Sequence, residues 1–353
     1  MQHDSSATLA LSNDDLVLTE LAQVSRRRSL VPLEARLLRL KRWLREDLRE
    51  LDQALTMDGD DLAWRAAGHM LAVPGKRLRP LCVVIGARIG GRELDDEVVA
   101  LATAAELVHA ATLLHDDVID EGTERRGVPA ARVVFGNQVS ILAGDHLLLE
   151  ALRRVHGVGR PALMGALLDA ISEMVAAEAQ QLERRGRFVP DRRAYLEVIR
   201  GKTAALFRWC LHAGGTLGGL SPQALAALGA AGLSLGVAFQ VIDDVLDLEG
   251  DPLETGKEPF ADLREGKLTW PVILACERDP ELLVALRALV EEPPSVGAGQ
   301  LAARVRATGA IADSRAFAAG HAAQARARLD ALPAGRPRQA LELVLEAATS
   351  RVR

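Results

Sequence analysis

The amino-acid sequence predicts an all-α fold, a single domain of about ten or more helices around a buried central layer. At 353 residues the chain can build a large core, and 49% apolar with 26% charged residues is the composition of a folded globular protein. Aromatic residues make up only 3%, with one tyrosine, Tyr195, and β-branched residues are sparse beside Ala and Leu, the reverse of what a sandwich or barrel needs. Apolar positions recur at helical spacing between Gly and Pro breaks, and no stretch alternates convincingly as a strand.

Residues 1–28 read as a flexible N-terminal extension ending in Arg26-Arg27-Arg28, and residues 29–353 as the helical domain. The extension lacks the basic start, apolar run and small-residue cleavage site of an export signal. From Leu33, apolar residues at 33, 37, 40, 44, 48, 51 and 55 give a helix with one apolar stripe for packing onto the rest of the chain. Further helices are expected over 81–89, 97–120, 140–156, 161–184, 193–216 and 222–248, separated at Pro74-Gly75, Gly90-Gly91, Gly127-Val128-Pro129, Gly186 and Ser221-Pro222. More follow Pro271, interrupted at Pro293-Pro294 and over 333–337.

The uncharged stretch 224–242 is long enough to span a bilayer. Its Ala and Gly content, Ser234, Gln240 and the adjoining Asp243 and Asp244 instead predict a core helix packed closely at Gly229, Gly232 and Gly236, with no transmembrane segment. Cys82, Cys210 and Cys276 are too far apart to form a local zinc cluster, and their odd number suggests reduced, packed thiols in a cytoplasmic protein. A formal net charge of −5 argues against nucleic acid as a partner.

Chemistry enters with two matching acidic clusters. His115-Asp116-Asp117-Val118-Ile119-Asp120 and Ile242-Asp243-Asp244-Val245-Leu246-Asp247 each close a long apolar helix and place carboxylates at i, i+1 and i+4. The i and i+4 members share a helix face, so Asp116 points with Asp120, and Asp243 with Asp247. Like charges at that spacing destabilise a helix. A chain that carries the arrangement twice beside its most apolar segments has cations to offset it, and all-oxygen donors favour Mg2+.

Basic residues complete the pattern. Lys76, Arg77 and Arg79 lie in Gly75–Pro80 before a helix, Arg125 and Arg126 follow the first cluster, Lys202-Thr203 sits in a helix, and Lys257 and Lys267 follow the second cluster. Together with two metal-binding clusters they describe a pocket for diphosphates, in which Arg and Lys neutralise phosphate oxygens. Neither GxxxxGK[ST] nor GxGxxG occurs, which argues against nucleotide kinases and dinucleotide-binding enzymes.

The blocks GKRLRP, LLHDDVIDEGTERRG, GKT, FQVIDDVLD and GKEPFADLREGK, in this order from Gly75 to about Pro271, resemble the trans-isoprenyl diphosphate synthases, or polyprenyl synthetases, and among them the octaprenyl type. The resemblance implies a homodimeric isoprenoid-synthase-type helical bundle with a deep central cavity. It implies head-to-tail 1′-4 condensation of isopentenyl diphosphate with an allylic diphosphate such as geranyl or farnesyl diphosphate. By that resemblance Asp116, Asp120, Asp243 and Asp247 hold Mg2+ on the allylic diphosphate. Arg125, Lys202, Thr203, Gln240, Lys257 and Lys267 hold the same group, and Lys76, Arg79, His109 and Arg126 hold isopentenyl diphosphate. The six acids of the two motifs, Asp117 and Asp244 included, form the expected catalytic set with Lys202. A small departure lies in the loop after Lys257, Glu258-Pro259-Phe260-Ala261-Asp262, where many relatives carry a glycine near Phe260.

One turn before Asp116 stand Ala111 and Thr112, where short-chain relatives have large aromatics. Both are small, which predicts a product of geranylgeranyl length or longer. Two other functions fit parts of the pattern: a class I terpene cyclase, and a non-catalytic subunit of a heteromeric synthase. The intact second Asp-Asp-x-x-Asp motif and the scarcity of aromatics to steer a wandering cation weigh against the first. The presence of both acidic clusters weighs against the second.

Overall fold

The computed structural model describes residues 31–56, 59–72, 77–125, 127–249, 260–291 and 297–350, together with Leu18, Ala22 and Gly75. Lys76, Arg126, Lys257 and the Pro293-Pro294 break lie outside the described residues. Within the expected flexible extension, Leu18 and Ala22 are helical and join the main core, so at these two positions the extension is docked.

The chain enters through α1 (Val31–Trp43) and α2 (Arg45–Ala54), in which the predicted stripe buries Leu33, Leu37, Leu40, Leu44, Leu51 and Leu55. A helix absent from the expectations follows, α3 (Leu62–Ala72), which buries Ala63, Ala66, Ala67, Met70 and Leu71. Next come α4 (Leu78–Ile89) and α5 (Asp96–Ile119). The Asp95 carboxylate caps α5 by accepting from the Val98 amide at 3.0 Å, and Asp96 and Glu97 suit the positive end of its dipole. A two-residue hairpin, β1 (Glu124–Arg125) against β2 (Val128–Pro129), turns the chain into α6 (Ala131–Phe135), α7 (Asn137–Gly157) and α8 (Pro161–Arg184).

The run from Arg192 to Leu217 is helical throughout but not uniform. It consists of α9 (Arg192–Ile199), a π-helical turn over Arg200–Ala204, and α10 (Ala205–Leu217). Then comes α11 (Pro222–Glu249), and after it α12 (Ala261–Arg264), α13 (Trp270–Arg278), α14 (Pro280–Glu291), α15 (Ala298–Ala307), α16 (Ala310–Arg328) and α17 (Arg336–Thr349).

α5 and α11 form the central layer. α5 packs against α4 and α7, while α10 lies between α4 and α11, and α11 runs along α16. Both central helices are long and apolar enough to cross a membrane, yet most of each apolar stretch is buried inside the protein, as predicted for 224–242. The close packing expected on α11 holds at two of its three glycines. A Cβ on Gly236 would stand 2.4 Å from Ala204 Cα, and one on Gly232 would stand 2.6 Å from the Phe207 carbonyl oxygen. At Gly229 the nearest atom, Arg208 Cγ, is an ordinary 3.6 Å away. Backbone contact at Gly236 seats the π turn, and with it Lys202 and Thr203, directly on the helix that carries the second acidic cluster.

Candidate active site

The carboxylates of the two motifs sit in two surroundings. Asp116 on the last turn of α5 and Asp120 at its C-cap are partly exposed, and so is Asp243 on α11, whereas Asp247, expected on the same open face, is buried. The middle acids, Asp117 and Asp244, are each only 2% exposed. A residue one step along a helix is rotated by about 100°, which carries it from the open face to the packed one.

Asp116 is approached by Lys202 from the π turn, Nζ lying 3.4 Å from Oδ2. Burial pushes the Asp116 carboxyl above its ordinary value and Lys202 pulls it back, while the neighbouring Glu178 and Asp120 charges raise it further. Lys202 also pairs with Glu178 and donates to Gln181 Oε1 at 3.1 Å, both on α8. Asp120 has a cation on each oxygen: Lys267 Nζ lies 2.7 Å from Oδ2 and Arg185 Nη1 lies 3.3 Å from Oδ1. Burial opposes the Lys267 charge, but Glu265 and Asp120 together hold its ammonium above the ordinary lysine value.

Two bridges bring the clusters to one site. Lys267, from the segment after the second cluster, reaches Asp120 of the first. The π turn reaches both sides: Lys202 meets Asp116, while Thr203 donates to Gln240 Oε1 at 2.8 Å, one helical turn before Asp244. Gln240 passes the contact on, its amide donating to Asp244 Oδ1 at 3.0 Å. Asp247, buried, accepts from the Ala261 amide at 3.2 Å and so fixes the start of α12 beside the second cluster. Phe260 precedes that contact with φ +71° and is fully buried. Its left-handed backbone is one that a non-glycine residue adopts at some cost.

Asp117 and Asp244, expected in the catalytic set, are both buried and bound to protein partners. Asp117 is the partner of Arg125 and receives Nη2 of its guanidinium on Oδ1. Asp244 accepts from the Tyr195 hydroxyl, from Gln240 and, at 3.2 Å, from the Trp270 amide. Burial pushes its carboxyl up to about 7 against those three hydrogen bonds. Both acids position other groups, and neither faces the open side of its helix.

The expected isopentenyl-diphosphate residues are less gathered. Arg79, on the first turn of α4, lies over the Phe207 ring at 4.7 Å, and among the described residues its Nε has no hydrogen-bond partner. Its neighbour Arg77 is structural. It holds the left-handed N-cap of α4, pairs with buried Glu106 at 2.7 Å and donates to the Leu71 carbonyl at 3.0 Å. His109 is partly exposed on the face of α5 that carries Asp116 two turns on, in line with the sequence reading. The two chain-length positions separate. Thr112 is partly exposed, its hydroxyl turned to the His109 carbonyl at 2.8 Å, whereas Ala111 is taken up by the packed core.

Sequence reasoning missed Glu178, Gln181, Arg185 and Tyr195, which touch expected site residues from elsewhere in the chain, and Glu106, which holds Arg77. Glu178 and Gln181, at i and i+3 on α8, carry a helical-face signal, but only tertiary structure shows that Lys202 is what they face.

Among the described residues no three carboxylate, imidazole or thiol groups already form a closed metal cage. Asp116, Asp120, Asp243 and Asp247 present hard oxygen donors of the kind a divalent ion takes, and Lys202, Lys267 and Arg185 stand at the first pair.

An all-helical bundle carrying two aspartate-rich motifs, with Lys202 and Lys267 set against the first of them, defines a prenyltransferase-type site. Residues 61–300 match the polyprenyl synthetase family. The chain is 33% identical over 315 residues to the nonaprenyl diphosphate synthase of Mycobacterium tuberculosis, covering 89% of this chain and 91% of the relative. It is 37% identical over 227 residues to the octaprenyl diphosphate synthase of Escherichia coli, covering 64% and 69% respectively. A crystal structure of polyprenyl synthase from Caulobacter crescentus complexed with calcium and isoprenyl diphosphate superposes with a TM-score of 0.83 at 34% identity, covering 89% of this chain and 98% of the other. The chain belongs to the polyprenyl synthetase family and is a polyprenyl diphosphate synthase.

Proposed function

We propose that the chain joins isopentenyl diphosphate head to tail with an allylic diphosphate, farnesyl or geranyl diphosphate, and repeats the step to give a trans-polyprenyl diphosphate of geranylgeranyl length or longer. The observation that carries this reading is the bridging of the two acidic clusters by Lys202-Thr203 and by Lys267. Carboxylates and ammonium groups alternate around one locus, the arrangement a diphosphate with its counter-ions needs.

Asp116 and Asp120, with Asp243 and Asp247, would hold Mg2+. When bound, the ion supplies positive charge that makes diphosphate a better leaving group. Lys202, Lys267, Arg125 and Lys257 would neutralise the remaining phosphate oxygens, with Thr203 and Gln240 donating hydrogen bonds. The allylic C1–O bond then breaks with its electron pair leaving on oxygen. The double bond of isopentenyl diphosphate, placed by Lys76, Arg79, Arg126 and His109, attacks C1. The departing diphosphate takes the proton whose loss restores an alkene. Thr112, partly exposed one turn below the first cluster, places no bulky side chain there, which supports a long product.

The working form is a homodimer in this reading. Val133 and Val134 on α6, Ile141, Leu142 and Leu149 on α7, and Leu168, Val175 and Leu182 on α8 are all exposed. The last three recur every seven residues along one stripe, the mark of a face that pairs. Three buried, unpaired cysteines favour a reducing cytoplasm.

The test is to incubate the purified chain alone with Mg2+, isopentenyl diphosphate and farnesyl diphosphate and to size the extracted products. Linear products of at least twenty carbons are expected, and they should be absent with EDTA. Cyclic hydrocarbons, or no turnover without a second protein, would overturn the proposal.

A further inference from the structure

Arg185 stands at the C-terminal cap of α8, outside every expected site motif, yet it is one of two cations on Asp120. Lys267 occupies Oδ2 at 2.7 Å, and Arg185 Nη1 occupies Oδ1 at 3.3 Å while also donating to the Ile119 carbonyl at 3.1 Å. Each carboxylate oxygen thus already carries a cation, and a divalent ion arriving at Asp120 meets the like charge of both, which favours the departure of one of them. The longer contact is the weaker and gives way first. Among the described residues the Arg185 bonds all run from Nη1, so Nη2 and Nε remain for another acceptor. A planar guanidinium matches two phosphate oxygens at once.

The backbone around Arg185 is pinned, which confines any movement to the side chain. The Gly186 amide donates to the Gly266 carbonyl at 3.0 Å, one residue from Lys267. A Cβ on Gly266 would stand 2.8 Å from the Gly186 nitrogen and 3.0 Å from Arg185 Cγ, at a φ of +79°, so only glycine allows the approach. The segment after α8 and the segment carrying Lys267 thus meet beside Asp120.

We propose that Arg185 is an exchange cation of the allylic diphosphate site. It holds Asp120 Oδ1 while the site is empty and moves to a diphosphate oxygen when Asp120 turns to the metal. This rests on the reading of the site given above and adds to it a positioning and phosphate-binding residue. No bond is made or broken, only ion pairs are exchanged.

The test uses full-length protein, with Mn2+ alone and inorganic pyrophosphate with Mg2+ as the two probes. Wild type must bind magnesium pyrophosphate by calorimetry, and if it does not, the diphosphate-site reading itself fails. In R185Q, magnesium pyrophosphate should bind roughly tenfold more weakly, the loss expected for one charge-assisted contact. Mn2+ alone, followed by electron paramagnetic resonance, should bind as tightly as in wild type or more tightly, because its competitor is gone. R185K, a point charge in place of a fork, should fall between the two. Arg185 is 31% exposed at a helix end, so circular dichroism should show both variants folded. Unchanged pyrophosphate affinity in R185Q overturns the proposal. Weaker Mn2+ binding also overturns it, since Arg185 would then only prop Asp120 in place.

Discussion

Replacing Gly236 by alanine should damage catalysis while leaving the fold standing, and replacing Gly229 on the same helix should not. A Cβ at 236 would lie 2.4 Å from Ala204 Cα and 2.6 Å from Ala204 Cβ. Carbon atoms in ordinary contact sit at about 3.5–4.0 Å, so the π turn and α11 must part by about 1 Å. Overpacking of this kind costs about 1–3 kcal/mol. A helix-interior Gly→Ala change returns about 1 kcal/mol, so net stability should fall by no more than about 2 kcal/mol. The catalytic cost is larger. Thr203 donates to Gln240 at 2.8 Å, and a further 1 Å takes that contact beyond hydrogen-bond range. It also draws Lys202 off Asp116. Misplacement by about 1 Å can lower turnover on the order of 100-fold. At Gly229 the nearest atom is 3.6 Å away, so alanine there should only add helix propensity. Initial rates of radiolabelled isopentenyl diphosphate incorporation, run beside urea unfolding of both variants, separate the effects. G236A turning over at the wild-type rate, or G229A losing as much, would refute the idea that backbone contact at Gly236 sets the site's register.

Asp116→Asn and Asp120→Asn should each lower kcat by about 100- to 1000-fold and raise the Mg2+ concentration for half-maximal rate, measured by metal titration of turnover. Asp117→Asn leaves the partly exposed Arg125 guanidinium facing a neutral amide: urea unfolding should show a loss of about 1–3 kcal/mol, and turnover should fall as Arg125 loses its position. Tyr195→Phe removes one of three donors to buried Asp244 and should cost about 1.5–3 kcal/mol in the same assay. Burial pushes the Cys82 thiol up to about 12, Cys276 up to about 11 and Cys210 well above its ordinary value. At pH 8 all three stay protonated, so Ellman's reagent should find no reactive thiol until the chain is unfolded. Because the unfolded thiols release protons first as pH rises, these groups should make stability fall above about pH 9.

The helices and both acidic clusters were legible because each is written locally. A long apolar run gives a helix wherever it packs, and carboxylates at i and i+4 share a face in any helix. α3 escaped notice although Ala63, Ala66, Ala67, Met70 and Leu71 follow the i, i+3, i+4, i+7, i+8 spacing, because alanine gives the pattern little hydrophobic contrast. The π turn was also illegible, since one extra residue per turn leaves no mark in composition. Its cause is tertiary: a Cβ on Gly201 would stand 2.6 Å from Ala177 Cβ, and Gly236 admits Ala204 from the other side, so α8 and α11 press on the turn from both directions. Arg77 and Arg79 show the limit for charges. Two residues apart in one basic motif, they part company because Glu106 makes its hydrogen bond with Arg77 and reaches Arg79 only as a nearby charge.

The two motifs reach one geometry by different chemistry, and the difference lies in their middle acids. Asp117 is neutralised by a cation, Arg125, held on the hairpin that follows α5. Asp244 is met by neutral donors, a phenol, a carboxamide and a backbone amide, drawn from α9, α11 and α13. The first arrangement ties a loop to the end of its own helix. The second ties three helices to one another, and one of its donors, Gln240, also holds Thr203 beside Lys202. The second cluster is thereby the fixed side of the site. The first is the side where ion pairs trade partners, since Asp116 and Asp120 face Lys202, Lys267 and Arg185 across partly open surface. In the proposed reaction, incoming diphosphate and divalent ion replace those contacts with others of the same sign pattern. The site then stays near electrostatic balance both empty and loaded, which lets a helix end carry three carboxylates within two turns without unravelling.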